Sequence, residues 1–557
     1  MSTLGRFLLE LKGRGTKAVE TRTVCLSAFP VGGAIFLFHA PLNFSTPQPI
    51  FFFLAVPIVV IVFSAWLDLF PQRMSRLKLR TGCSPGMPLG CVLAPMVVAG
   101  VCGCAIGHSA ISKDLLIYYM VSSSCIGLCP LLGSLVHWVP YPTSIVVYCS
   151  TLTVLIFVLE VFLEIPILFW SLITCLLYSG IVSWMLDFFP ETFTMGEAFT
   201  IGQGVTFLIV DTVAQMLHKA GIVEISKQLA FKRHETTLYL EMMVLGIILC
   251  CGCLAPILKK AAFARGPVES RFWSATFFLT TGMVTVMVLL PSLQVLLENR
   301  PVLWLVSFIL SSKYRVLLVG YWFIWTVVAI VYVVVQSRGS NSVFGVLQSS
   351  DPSSVVSRKW FHLMMICIFV PGIILDPVIL QLAASSALCL LILLEVIRFF
   401  SLWPIGDAVH KVLIEFVDSK DSGRLILSHI YLLAGFSLPL WLYPLRVYTN
   451  APKISLYAGV ISLGFGDSLA AIVGSTWGKF KWPGTQKTME GSVAAVVGQL
   501  VAVVLIYLID PQIRMLAHHW PVIVGVVSVT ALLEAYTEQN DNLILGLFQF
   551  ALLVTFC

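Results

Sequence analysis

The sequence predicts an all-α, polytopic transmembrane protein with about 15–17 spans. Three observations carry this. Only 11% of the 557 residues are charged, while 58% are hydrophobic. A soluble domain carries about 25% charged residues, so the bilayer must be the solvent and the spans must satisfy their own backbone hydrogen bonds as helices. Apolar stretches of spanning length recur from end to end. Basic residues collect in the short loops between them, as orientation signals do.

The elements follow in chain order. The basic N-terminus (Arg6, Lys12, Arg14, Lys17, Arg22) shows no small-residue cleavage site and reads as a cytosolic tail before an uncleaved first span. Spans at 24–40 and 49–70 lead to the loop Arg73–Arg80, whose four basic residues belong on the same side as the N-terminus. The sequon Asn43-Phe44-Ser45 then falls on the lumenal side, close enough to the membrane to be expected unmodified. Spans at 86–107, 115–137, 143–164, 166–187, 196–217, 237–258, 270–290 and 315–335 complete an N-terminal multi-span region, 1–340, with no recognisable chemical motif. Its Asp211 reads as structural. Basic pairs flank both ends of 237–258 (Lys232, Arg233; Lys259, Lys260), so its orientation is ambiguous.

The 15 cysteines mostly lie in apolar runs, and the one C-x-x-C, Cys250 and Cys253, has no partner pair at zinc spacing. They read as small buried hydrophobes. No arginine-rich patch interleaved with aromatics accompanies the net charge of +6, so nucleic acid is not an expected partner; the lipid bilayer is.

A serine-rich polar stretch from Gln336 to Ser357 reads as a linker. Beyond it lies a second membrane domain, 341–557, with spans at 360–375, 377–398, 425–443, 455–474, 491–509, 521–537 and 543–557. With Arg358 in the cytosol and the spans alternating, ten basic residues fall on the cytosolic side and three on the other: Arg338, Arg358, Lys359, Arg398, Lys411, Lys420, Arg424, Lys479, Lys481 and Lys487 against Arg446, Lys453 and Arg514. That bias fixes the orientation. It also brings every polar cluster of the domain to the cytosolic surface, including the stretch Asp407–His429, the loop 475–490 and the stretch Glu534–Asn542.

The densest cluster is GFGDSLAAIVGSTWGKFKWPGTQKTMEG, Gly464–Gly491. Asp467 lies inside an apolar span, where a carboxylate is costly and marks function by default. Ala470, Ala471 and Gly474 follow on the same helix face, leaving room for a ligand or a close neighbouring helix. Lys479, Lys481 and Lys487, with the threonines and glycines of the loop, suit phosphate binding, though no Walker A pattern is present. Glu490, Glu534 and Asp541 join Asp467 as candidate magnesium ligands, since phosphoryl transfer needs a metal bridging phosphate oxygens. Arg358 and His362 share a helix face, and Glu395 and Arg398 are spaced to pair; each set fits a site or an interfacial anchor. Asp421 and His429 complete the polar candidates.

Four segments, RKWFHL (358–363), DSGRLILSHIYLLAG (421–435), the Gly464–Gly491 stretch and LLEAYTEQNDN (532–542), resemble dolichol kinase over about 200 C-terminal residues. The N-terminal half is similar mainly in length and hydropathy. The resemblance implies a CTP-dependent lipid kinase of the endoplasmic reticulum membrane, phosphorylating the terminal hydroxyl of dolichol at the cytosolic face. Dolichyl phosphate then serves protein glycosylation. It also implies that CTP is bound by the segment from Ser475 to Glu490: Ser475, Thr476, Gly478, Lys479, Lys481, Trp482, Pro483, Gly484, Thr485, Lys487, Thr488 and Glu490, with Gly474 beside them. The family's Arg-Lys pair falls on Arg358 and Lys359, and its closing Lys-Thr-x-Glu-Gly on Lys487–Gly491. Members carry two lysines before that threonine. Here Gln486 precedes Lys487, so Lys481 or Lys487 must supply the charge.

The expected mechanism is in-line γ-phosphoryl transfer from CTP, with Asp467, Arg358, Lys359 and Lys487 as the catalytic set and Mg2+ as the metal. The alternatives are a kinase of diacylglycerol or phytol, a cytidylyltransferase, and, in another class, a secondary transporter. A transporter would show midplane carboxylates and inverted repeats, neither of which is evident.

Overall fold

The computed structural model describes residues 79–80, 86–105, 168–221, 234–339, 352–413, 421, 425–443, 453–513 and 519–556, with scattered positions between 115 and 127. The expected spans 24–40, 49–70 and 143–164, most of 115–137, the Asn43 sequon and most of the serine-rich linker lie outside the described residues. Among those residues the chain is all helix, and its only β feature is an isolated antiparallel bridge between Lys481 and Thr488.

The helices run α1 Met87–Ala105, α2 Leu168–Phe188, α3 Met195–Lys219, α4 Glu235–Cys253, α5 Ala255–Ala262, α6 Pro267–Val284, α7 Leu290–Leu297, α8 Pro301–Leu310, α9 Lys313–Gly339, α10 Pro352–Leu375, α11 Pro377–Phe399, α12 Gly406–Leu413, α13 Ser428–Leu442, α14 Ser468–Trp477, α15 Met489–Ile509, α16 His519–Tyr536 and α17 Asp541–Phe556. Wide π-type turns join α6 to α7 (Thr285–Leu289) and precede α14 (Val460–Asp467). Nine candidate spans among the described residues are long and apolar enough to cross a membrane, counting Pro267–Leu297 and Val460–Trp477 as one each. Five shorter apolar helical stretches accompany them. The protein is therefore an all-α polytopic membrane protein.

Two helices depart from the expected spans. The apolar run 237–258 breaks at Leu254, because Pro256 fits only the first turn of a new helix. The resulting α5 carries Lys259 and Lys260 in its last turn, where cations complement the helix dipole. Pro301–Leu310, between the expected spans 270–290 and 315–335, is a helix opened by its own proline.

The chain divides into two compact units. One comprises Met1–Phe207 and Leu442–Cys557; the other is Leu208–Trp441. Contacts thus group the chain differently from the sequence division near 340, which concerns where chemistry resides.

In the first unit, α14 and α15 lie against each other through small residues. A Cβ on Gly491 would stand 2.9 Å from the Ala470 carbonyl oxygen, and one on Gly474 3.0 Å from Thr488 Oγ1. Ala470, Ala495 and Ala531 fill the seam between α14, α15 and α16. The second unit contains a core of Leu238, Tyr239, Met242, Leu293, Leu296, Leu297 and Leu382. Its α6 and α9 present many large apolar side chains outward, such as Leu279, Met283, Phe323 and Ile330, as lipid-facing spans do.

Candidate active site

The site is built in the first unit where three helix ends meet. The π-type turn Val460–Asp467 ends on Asp467, which is 3% exposed. Such wide turns recur at functional sites. Its Gly466 lies so close to α15 that a Cβ would stand 2.8 Å from Gln499 Nε2. Glu534 occupies the last turn of α16 and is 4% exposed. Asp541 opens α17, where a carboxylate is favoured by the helix dipole.

The loop between α14 and α15 brings Lys487 to these carboxylates. Its Nζ lies 3.4 Å from Glu534 Oε1 and 3.8 Å from Asp541 Oδ2. Partial withdrawal from water would lower the pKa of this ammonium. The negative charges of Glu534, Asp541 and Asp467 outweigh that and hold it above the ordinary lysine range. One lysine thus stands among three carboxylates contributed by three separate segments.

The loop itself is an arch rather than an open cradle. Trp482-Pro483-Gly484-Thr485 forms a turn in which Thr485 N–H donates to Trp482 C=O at 3.1 Å and Gly484 has φ +78°. Proline second and a positive-φ glycine third is the chemistry of a type II turn. The arms pair through Trp482 N–H to Lys487 C=O at 2.9 Å and Met489 N–H to Phe480 C=O at 2.7 Å. Trp482 anchors the arch: its indole N–H donates to Ser492 Oγ at 2.9 Å, and its ring lies 5.5 Å from that of Tyr536. Lys487 N–H donates to Thr485 Oγ1, and Thr488 caps α15 by accepting from Gly491 N–H.

Several residues assigned from sequence to phosphates or metal have structural partners within the arch and α14. Glu490 accepts from the backbone N–H of Lys479 at 3.0 Å and of Phe480 at 3.1 Å. This ties it to the arch, and it is not among the carboxylates acting on Lys487. Ser475 and Thr476 donate to Ile472 C=O within α14. Gly478 makes close approach possible, since a Cβ there would stand 2.3 Å from Gly474 C=O. Lys479 and Lys481 are exposed on the arch, and Lys481 Nζ donates to Gln486 Oε1 at 2.7 Å. The glutamine that stands where a second lysine was expected therefore holds Lys481 across the turn.

In the second unit, Glu395 and Arg398 form a buried two-point pair at 2.7 and 2.5 Å, and Glu395 also accepts from Ile426 N–H at 2.7 Å. Asp421 accepts from Leu427 and Ser428 N–H. These three brace the chain leading into α13. His362 is buried on α10, Lys359 is half-buried there, and the half-buried His429 sets its ring edge-on to Phe361. Arg358 lies near the start of the same helix.

Arg80 and Glu197 were missed as site residues. Arg80 was read only as one of four basic orientation charges. It is instead 5% exposed, and its Nη2 lies 2.7 Å from Glu197 Oε1. The same carboxylate oxygen accepts from Asn540 N–H at 2.9 Å, one residue before Asp541. A glutamate inside the apolar run 196–217 was the available signal, by the argument applied to Asp467.

Among the described residues, no three His, Cys, Asp or Glu side chains converge closely enough to hold a metal by themselves. The oxygen donors at hand nonetheless suit Mg2+, which takes one or two carboxylates and completes its shell with waters and substrate phosphates.

A family profile for dolichol kinase matches residues 128–454. Dolichol kinases of Bos taurus and Homo sapiens are 35% and 34% identical over 378 residues, which is 66% of this chain and 66% of each of theirs. Dolichol kinase EVAN of Arabidopsis thaliana is 29% identical over 401 residues, 69% of this chain and 68% of its own. No solved structure matches significantly. The profile reaches back to residue 128, so the similarity enters the N-terminal half more deeply than hydropathy suggested. It ends before Asp467, so it stands independently of the constellation around Lys487. On that match over more than half its length, the chain belongs to the dolichol kinase family.

Proposed function

We propose that the protein transfers the γ-phosphoryl group of CTP to the terminal hydroxyl of dolichol. The observation that carries this is the convergence of Lys487 with Asp467, Glu534 and Asp541, in a chain of this family. The hydroxyl oxygen attacks the γ-phosphorus, the bond to the β-phosphate oxygen breaks, CDP leaves, and the hydroxyl proton passes to a carboxylate. Asp467, buried beside the lysine, is the acceptor we assign. Lys487 offsets charge on the phosphoryl oxygens, and Lys479 and Lys481, exposed on the arch, meet the outer phosphates, Lys481 by exchanging its bond to Gln486. Glu534 and Asp541 would hold Mg2+, which when bound neutralises phosphate charge. The protein's own work is positioning and charge stabilisation.

We place the protein in the endoplasmic reticulum membrane with this site on the cytosolic face, on the ten-to-three distribution of basic residues in 341–557. The isoprenoid tail of dolichol then stays in the bilayer with its hydroxyl at the surface.

The test is label transfer in membranes supplied with dolichol and CTP labelled in the γ-phosphate. Dolichyl phosphate should carry the label, and Asp467→Asn should lower turnover by about 100-fold or more. Label on diacylglycerol but not dolichol would sink the acceptor assignment. Transfer of label from the α-phosphate would point to cytidylyl transfer. Wild-type turnover in Asp467→Asn would remove the assigned base.

A further inference from the structure

We propose that Arg80 and Glu197 are positioning residues: their ion pair seats the 537–540 turn and thereby sets where Glu534 and Asp541 stand around Lys487. The inference rests on the reading of those carboxylates as phosphoryl-transfer ligands and gives the N-terminal part of this unit a role in the reaction.

The turn is polar and buried. Gln539 and Asn540 are 0% and 1% exposed, so their backbone and side-chain groups need partners inside the protein. The N-terminal chain supplies them. Glu197 Oε1 accepts from Asn540 N–H at 2.9 Å and from Arg80 Nη2 at 2.7 Å. Its Oε2 accepts from Thr194 N–H at 3.3 Å. Arg80 is itself fixed, because its backbone N–H donates to Phe193 C=O at 3.0 Å. Thr194 Oγ1 donates to Gln539 Oε1.

Space is shaped to match. Gly86 has φ +65°, and a Cβ there would stand 2.1 Å from Gln539 Cδ. A Cβ on Gly196 would stand 3.0 Å from Gln539 Oε1 and 2.4 Å from the Gly86 carbonyl oxygen. Arg80, Gly86, Thr194, Gly196 and Glu197 thus form a socket for one side chain and one amide.

Geometry carries the socket to the carboxylates. Thr537 N–H donates to Leu533 C=O, closing α16 one turn beyond Glu534. Asn540 C=O accepts from Leu543 and Ile544 N–H, and its Oδ1 accepts from Asn542 N–H. Asn540 therefore caps α17, and Asp541 is the next residue. A shift of the Asn540 amide moves both ends of the turn at once. Stability alone is a poor reason for such a pair, because apolar residues of similar volume serve as well. Holding a polar turn in one place is what an apolar pair fails to do.

The test uses the full chain in detergent or membranes. Arg80→Met/Glu197→Met removes the pair with little change in volume and leaves Asn540 N–H without its acceptor. Glu197→Gln keeps an acceptor oxygen for that amide. Hydrogen exchange at residues 537–542 is the readout that needs no activity. It should quicken at least tenfold in the double variant, and less in Glu197→Gln, with α16 and α17 otherwise unchanged. Kinetically, kcat per folded molecule should fall about tenfold and the Mg2+ concentration for half-maximal rate should rise severalfold, while KM for dolichol holds. Wild-type exchange in the turn overturns the proposal. So does a loss confined to the yield of folded protein with kcat and Mg2+ requirement intact. If the wild type fails to phosphorylate dolichol, the functional reading fails, and exchange still decides whether the pair seats the turn.

Discussion

Replacing Lys487 with methionine tests the electrostatic core of the site. Methionine keeps an unbranched side chain and deletes the charge. The ammonium lies 3.4 Å from Glu534 and 3.8 Å from Asp541, which at an effective dielectric of about 20 gives gross attractions of roughly 5 and 4 kcal/mol. Those figures overstate the net effect, because the lysine side chain is 41% exposed and water screens it. The carboxylates are better shielded, at 5% and 14%. Losing the lysine leaves like charges facing one another in a partly dry site. The cost falls between that of an exposed pair, up to about 1 kcal/mol, and that of orphaning a buried charge, about 3–5 kcal/mol. We expect about 2–3 kcal/mol. Heating the purified protein in detergent and following the folded fraction should show a midpoint lowered by roughly 2–4 °C. Lys487→Met/Glu534→Gln should recover most of that loss and none of the kinase activity. Because the ammonium is held above the usual 10.5, its ion pairing is complete at lower pH and fades only as pH rises through the raised value. The stability gap between wild type and Lys487→Met should therefore stay constant from about pH 7 to 9. A single variant as stable as wild type, or a double variant no better than the single one, would refute the reasoning.

Two further outcomes follow from the arch and the seam beneath it. Glu490→Gln should loosen the arch and raise KM for CTP with the Mg2+ requirement unchanged, because its carboxylate serves the Lys479 and Phe480 amides; a shifted metal requirement would return Glu490 to the metal ligands. Gly491→Ala gains up to about 1 kcal/mol of helix propensity but sets a methyl 2.9 Å from a backbone carbonyl oxygen, and overpacking of that kind costs about 1–3 kcal/mol. A lower thermal midpoint is expected, and a higher one would show that α14 and α15 are free to part.

The spans were legible because a membrane leaves composition few choices: α2, α3, α11, α15 and α16 follow runs marked by hydropathy alone. Asp467 and Glu534 stood out for a related reason, since an acid in an apolar run is costly wherever the chain goes. The arch was not. Glycines, lysines and a proline between two spans describe a phosphate cradle and a type II turn equally well, and only the position of Glu490 against two amides separates them. The π-type turn before Asp467 was hidden too, because one extra residue in a helical turn leaves the apolar pattern nearly unchanged.

Arg80 shows where reading by segments stops. Four basic residues after a span satisfy the positive-inside rule whether or not each meets water, so nothing local sets Arg80 apart from Arg73, Arg76 and Lys78. What sets it apart is Glu197, 117 residues away, and the amide of Asn540, 343 residues beyond that. Of the acids that meet Lys487, Asp467 and Glu534 declare themselves singly by their cost in an apolar run, and Asp541 does not. The groups that position them are legible only as a set, because each is inexpensive once its partners are in place. Charges in the N-terminal spans that carry no motif of their own are therefore best read by the amides and turns they hold, and the Arg80–Glu197 pair makes that reading measurable at Asn540.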